Sequence, residues 1–142
     1  MRRLSAFIRL PLDEQLRLVE AILALTLASV LLRTVAFARL AKRLGRHMAE
    51  SPSAAPANVE QQAKGVRWAV DLAADHLPWK PVCFPRAVAA TVMLRRRGIA
   101  STLYFGVDRA RGLDAHAWVR VGGLIVSGAP VEPRFTVVST FA

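Results

Sequence analysis

The sequence holds one cysteine, Cys83, in the stretch "LPWKPVCFPRAVAATVMLRRRG". Pro85 has no backbone N–H and is accommodated only in the first turn of a helix, so it places a helix start close to Cys83. Unpaired N–H groups and the positive end of the helix dipole stabilise a thiolate at such a position and make it a better nucleophile. The competing reading of a lone cysteine is an inert, buried apolar side chain. Of the three histidines, His47 follows the first apolar helices and reads as a surface residue. His76 stands near a helix end, where an imidazolium is favourable on dipole grounds alone. His116 is different. It lies in "DAHAWVRV", whose alternation puts Asp114, His116, Trp118 and Arg120 on one face and Ala115, Ala117, Val119 and Val121 on the other. The second set is the core face, which directs His116 either to solvent or to the helix carrying Cys83. A thiolate with an imidazole in reach is the minimum apparatus for acyl transfer or peptide hydrolysis.

Such an imidazole needs a group that holds it in one tautomer. Gly122-Gly123, between Val121 and Leu124, predicts a two-residue hairpin of type I′ with positive φ at both central positions. In ideal register Val121 pairs with Leu124, Trp118 with Ser127 and His116 with Ala129. Asp114, on the His116 face of the same strand, and Ser127, diagonal to His116, are the two candidate orienting residues. Glu132 reaches the ring only if the chain after Gly128 bends back. A single cysteine excludes an internal disulfide framework and any multi-cysteine zinc site, and neither a metal nor a cofactor is expected.

The elements that must position these residues are legible in outline. "DEQLRLVEAILALTLASVLLRTVAFARLAKRLG", residues 13–45, reads as one or two helices, with Leu16, Val19, Ile22 and Leu23 as an apolar stripe and Gly45 as the C-cap. "SPSAAPAN", residues 51–58, is turn or linker material. A second helical stretch resumes at Val59, with Val66, Ala69, Val70, Ala73, Ala74 and Leu77 at helical spacing, and Pro78 ends it. The third begins near Cys83 and stops at Gly98, after Arg95, Arg96 and Arg97. Beyond Gly98 the period falls from 3.6 to 2: "IASTLYFGV", "DAHAWVRV", "LIVSG" and "RFTVVSTF" read as short strands. Helices followed by an antiparallel meander make an α+β domain.

Composition bounds what such a domain can be. The 142 residues suit a single domain, with apolar N-terminal helices over 13–50 and a catalytic core over 59–142. The net charge of +10 divides evenly, because residues 1–64 and 65–142 each hold ten basic and five acidic residues. An even basic excess points to an acidic peptide or protein partner or an anionic surface. No helix-turn-helix, zinc-finger or aromatic RNA-binding pattern is present, so nucleic acid is not the expected partner. Arg2, Arg3 and Arg9 precede an uncharged run from Ala21 to Leu32, but those 12 residues fall short of the roughly 20 that span a bilayer. Asp13, Glu14, Arg17 and Glu20 intervene, so the run reads as a buried helix, with an interfacial or partner-binding helix as the alternative. Membrane association is not predicted, and a lone thiol suits a reducing cytoplasm.

Taken together, "LPWKPVCFPRAVAATVMLRRRGIASTLYFGV" (77–107), "AHAWVRVGGLIVSG" (115–128) and "FTVVSTFA" (135–142) resemble the transglutaminase-like leader peptidases of lasso-peptide biosynthesis. The resemblance implies a papain-like core with a Cys-His-Asp triad, in which Cys83 is the nucleophile and His116 the base. It implies an enzyme that cuts the leader from a ribosomally made precursor so that a partner cyclase can close the macrolactam. The family acid follows the histidine by about a dozen residues. Here that region reads Val126, Ser127, Gly128 and holds no acid. The chain is similar to the stand-alone form, which works with a separate small leader-recognition protein. Two alternatives share the sequence features: an acyltransferase or transglutaminase on the same scaffold, and a non-enzymatic scaffold whose apolar helices bind a partner and whose Cys83 is unreactive.

Overall fold

In the computed structural model, residues 7–110 and 114–142 are described, and Arg2 and Arg3 of the basic N-terminal start lie outside them. Apolar residues at helical spacing after Pro11 form α1, Leu12–Thr34, which at 23 residues is about 35 Å long. It is longer than the uncharged run because Asp13, Glu14, Arg17 and Glu20 belong to it. The face it buries is Leu18, Ala21, Leu25 and Ala28, not the stripe read from the sequence. Leu16 and Leu23 of that stripe are 62% and 65% exposed. Both faces carry apolar residues at the right period; the one with alanines at 21 and 28 lets neighbouring helices approach closely and is buried.

Helix α2, Phe37–Leu44, ends at Gly45, and α3 spans Ala57–His76. Helix α4, Cys83–Arg96, lies at the centre, packed by α1 and α3 and by three of the strands that follow it in the chain. Ala87, Ala89, Ala90, Met93 and Leu94 of α4 are fully buried, and three of those five are alanine, which suits an element crowded on several sides. Arg97, just beyond α4, forms a two-pronged pair with Glu20 of α1 at 2.6 and 3.2 Å. Arg95 reaches the end of α2, donating to the carbonyls of Arg43 and Leu44 at 2.7 and 2.6 Å and satisfying groups a helix end leaves open.

The four strands are β1 (Thr102–Asp108), β2 (Asp114–Val121), β3 (Leu124–Ser127) and β4 (Thr136–Phe141), in sheet order β3-β2-β1-β4 with every pairing antiparallel. The architecture is the expected α+β core of helices followed by a small antiparallel sheet. Gly122 has φ 54° while Gly123 is not at positive φ, the φ pattern of a type II′ turn in place of the expected I′. The segment read as linker presses on that turn: a Cβ on Gly122 would stand 2.8 Å from Ala55. Arg120 ties the same segment down, donating to the carbonyls of Ser51 and Pro52. At the other sheet edge, Arg46 and Ala142 exchange backbone hydrogen bonds, Met48 N–H donates to Thr140, and the His47 ring meets the Ser139 hydroxyl at 2.8 Å.

Candidate active site

Cys83 is the first residue of α4, with Val82 before it and Pro85 inside the first turn, as the missing N–H of proline requires. No side chain caps this helix start. The turn before it is held by Arg86, whose Nε donates to the Pro81 carbonyl at 2.8 Å while its Nη2 donates to Asp75 of α3 at 3.1 Å. Cys83 therefore stands at a helix start whose preceding turn is braced against α3. Arg86 is a positioning residue that sequence reading missed; its spacing to Cys83, three residues along one helix, was the available signal.

His116 lies near the start of β2, opposite Gly106 of β1. Its ring is held between two aromatic rings, Phe135 at 5.1 Å and Trp118 at 5.8 Å between centroids. Its Nε2 stands 2.7 Å from the main-chain oxygen of Gly128. A carbonyl oxygen can only accept, so Nε2 carries a proton, and in the neutral ring Nδ1 then keeps its lone pair. The main chain thus selects the tautomer, and it does so twelve residues after the histidine, the stretch in which the family resemblance implies an acid.

The backbone of β3 explains how the carbonyl comes to be there. Pairing starts as expected at Val121 with Leu124 and Arg120 with Ile125, but then slips, and Ser127 pairs with Val119 instead of Trp118. The bulge absorbs one residue, and Gly128 follows at φ 85°. A Cβ on Gly128 would stand 2.5 Å from the Ala117 oxygen and 2.8 Å from the Trp118 Cβ, so only glycine lets the strand lie this close.

Neither expected orienting side chain grips the ring. Ser127, carried to the Val119 register by the bulge, is 3% exposed and its hydroxyl has no hydrogen-bond partner among the described residues. The Asp114 carboxylate accepts from Arg134 Nη1 at 3.0 Å. Arg134 also pairs with Asp108 at 2.9 Å and Glu132 at 2.6 Å, and its guanidinium lies 4.3 Å above the Phe135 ring. The Asp114 carboxylate is thus taken up by Arg134, whose guanidinium covers the Phe135 ring beside the imidazole.

Cys83 and His116 line one open cleft of about 550 Å³, together with Arg67, Asp71, Arg86, Gly128 and Glu132. No direct hydrogen bond joins the thiol to the imidazole among the described residues; such contacts are often long before substrate binds. Burial pushes the Asp71 carboxyl above its ordinary 3.8, outweighing Arg86 and Arg67, each 3.8 Å away. Among the described residues no three His, Cys, Asp or Glu side chains gather as a metal-binding group.

A comparison with protein families matches residues 31–140 to one described as the transglutaminase-like superfamily. The matched stretch contains Cys83, His116, Gly128 and all four strands but for the last residue of β4. No curated protein and no solved structure matches the chain.

Proposed function

The chain belongs to the transglutaminase-like superfamily, and from that premise we infer that it is a cysteine peptidase which removes the leader from a ribosomally made lasso-peptide precursor. The observation that carries the reading is the Gly128 carbonyl on His116 Nε2, which leaves Nδ1 free to take the proton of Cys83 in the cleft both residues line. In the first step His116 Nδ1 removes the thiol proton and the Cys83 sulfur bonds to the carbonyl carbon of the last leader residue. The oxyanion is met by the positive end of α4, which starts at Cys83 and whose first-turn N–H groups have no acceptor within the helix. Collapse of the intermediate breaks the C–N bond, and the proton on Nδ1 passes to the departing amine, which is the new N-terminus of the core peptide. Water then attacks the thioester with His116 as base, and the leader leaves as a carboxylate with Cys83 regenerated.

The partners belong to the same proposal: the precursor's leader, a separate small recognition protein that delivers it, and a macrolactam-forming cyclase that consumes the freed core, all in the cytoplasm. The charge of +10 supports an acidic partner or leader. Tethering by a recognition protein raises the effective peptide concentration at the cleft without any new contact there. The test is mass spectrometry of a precursor peptide incubated with this protein and the recognition protein. Wild type yields leader and core as separate masses and Cys83→Ala yields neither; cleavage by Cys83→Ala at the wild-type rate refutes the reading.

A further inference from the structure

The fold leaves bare the face of α1 that the sequence offers as its apolar stripe. Leu12, Leu16, Val19, Leu23, Leu27 and Val30 recur every three or four residues along about 27 Å of the helix, and each is 44–69% exposed. They stand opposite the buried Leu18, Ala21, Leu25 and Ala28. With Val92 of α4 beside it, the patch exceeds the roughly 300–600 Å² of contiguous apolar surface that a monomer ordinarily shows. Helix α1 has the length and, at a mean hydropathy of 1.8, the composition of a membrane span, yet only 17% of that stretch is buried. It is not placed to cross a bilayer, because its other face is packed on α3 and α4 and crossing would carry Arg17 and Glu20 into hydrocarbon.

The rim of the patch is basic. Along one edge Arg96, 71% exposed, shares a groove of about 610 Å³ with Leu16, Val19, Leu23, Leu27 and Val92. Next to it Arg95 ties the end of α2 to α4, and α2 exposes Arg39, Lys42 and Arg43. Along the other edge Arg33 and Trp79, both exposed, border Val30. From Ala21 to Ala49 the chain carries five basic residues and no acidic one. At the opposite end Asp13 is paired with Arg17 at 3.8 Å and Glu20 with Arg97 at 2.6 Å. Glu14 falls in line with Leu18, Ala21 and Leu25, on the other face.

We propose that this face docks on an anionic lipid bilayer, with α1 lying in the interfacial plane and its bare stripe among the acyl chains. Aliphatic side chains in one straight line, with no polar group to fix a register, suit a fluid apolar surface. The cations and the indole along the rim suit the headgroup level, where each cation adds attraction to anionic lipid. The docking is independent of the peptidase chemistry.

The test is flotation of the full wild-type chain with vesicles of equal parts phosphatidylglycerol and phosphatidylcholine, against vesicles of phosphatidylcholine alone, in about 0.1 M salt. Binding to the anionic vesicles is at least about tenfold tighter. The double variant Leu16→Gln, Leu23→Gln lowers it at least about tenfold, and because both positions are more than 60% exposed the fold loses little packing. The pair Arg33→Gln, Arg96→Gln narrows the gap between the two lipids at least about threefold. Val137→Gln, on β4 and outside the patch, changes nothing. Tryptophan emission shifts to the blue on binding, and Trp79→Phe removes the shift. No binding to either vesicle, or binding that survives the leucine substitutions, overturns the proposal. A wild-type dimer in solution that the leucine substitutions dissociate, and that vesicles do not bind, overturns it equally, because a second copy then covers the face.

Discussion

Gly128→Ala separates a backbone role from a side-chain role at the active site. The new methyl would stand 2.5 Å from the Ala117 oxygen and 2.8 Å from the Trp118 Cβ, and φ would remain at 85° unless the strand moves. Left-handed strain costs an L-residue about 1–2 kcal/mol and overpacking about 1–3 kcal/mol, so a loss of about 2–5 kcal/mol is expected. For a chain of this size that lowers Tm by about 6–15 °C. The atoms struck belong to β2 itself, so relief requires β3 to back away and take the Gly128 carbonyl from His116. A hydrogen bond of this kind contributes about 0.5–1.5 kcal/mol, and losing the tautomer it selects adds to that, which gives a fall in kcat of at least about tenfold. The assay is single-turnover cleavage of the precursor, well below the melting point of the variant, with thermal melts in parallel. Two other glycines serve as controls, since an added Cβ meets nothing within 4 Å at either Gly98 or Gly123. Gly98, at φ 67°, shares only the strain: its alanine variant loses about 1–2 kcal/mol and keeps its kcat. Gly123→Ala leaves both quantities unchanged. A folded Gly128→Ala protein that cleaves at the wild-type rate, or a Gly98→Ala protein equally impaired, refutes the role given to the carbonyl.

Other substitutions test the surroundings. Ser127→Ala removes a hydroxyl that bonds to nothing and leaves kcat within about twofold, and Asp114→Asn lowers kcat by far less than His116→Ala; activity lost in either as completely as in His116→Ala shows that the orienting group has been misassigned. Glu20→Ala breaks the two-pronged link to Arg97 and lowers stability by about 1.5–3 kcal/mol in urea unfolding, without changing KM. Asp71 carries a pKa raised by burial, so its ionisation takes stability from the fold as pH rises through that value, and the penalty is absent below 3.8. Asp71→Asn accordingly melts higher than wild type at neutral pH, and the gap closes in acid; a gap independent of pH contradicts the assignment.

How much was legible follows the range of the interactions involved. Pro85 fixes its helix start through covalent geometry, and the strands announce themselves by alternation, so Cys83 at the head of α4 and His116 on β2 were placed from residue types alone. The choice between two apolar faces of α1 depends on which one meets α3 and α4, and no local pattern encodes that. The orienting group escaped for a different reason. Residue types show side-chain oxygens only, whereas the oxygen on His116 belongs to the main chain of Gly128 and is brought to the ring by a one-residue slip. Gly128 itself was visible, and its neighbour Ser127 drew attention only because a hydroxyl looks functional in a string of letters. Asp114 was assigned to the correct face, but Arg134, twenty residues away in sequence, takes its carboxylate.

The clasp between residues 46–48 and β4 sets the order in which the chain can be completed during synthesis. His47 and Ser139 are 92 residues apart, an interval of about 5–18 s at ordinary translation rates. Through that interval the strand-pairing groups of Arg46 and Met48 wait for partners that have not been made. The apolar residues of α1 emerge earlier still, and the buried face they form is completed only when α4 follows. For those seconds the nascent chain carries an apolar helix face without its partner, and co-expressed chaperones are expected to raise soluble yield. Slowing translation lengthens that exposure, so rare codons placed between α1 and α4 reduce soluble protein more than the same codons placed between β3 and β4.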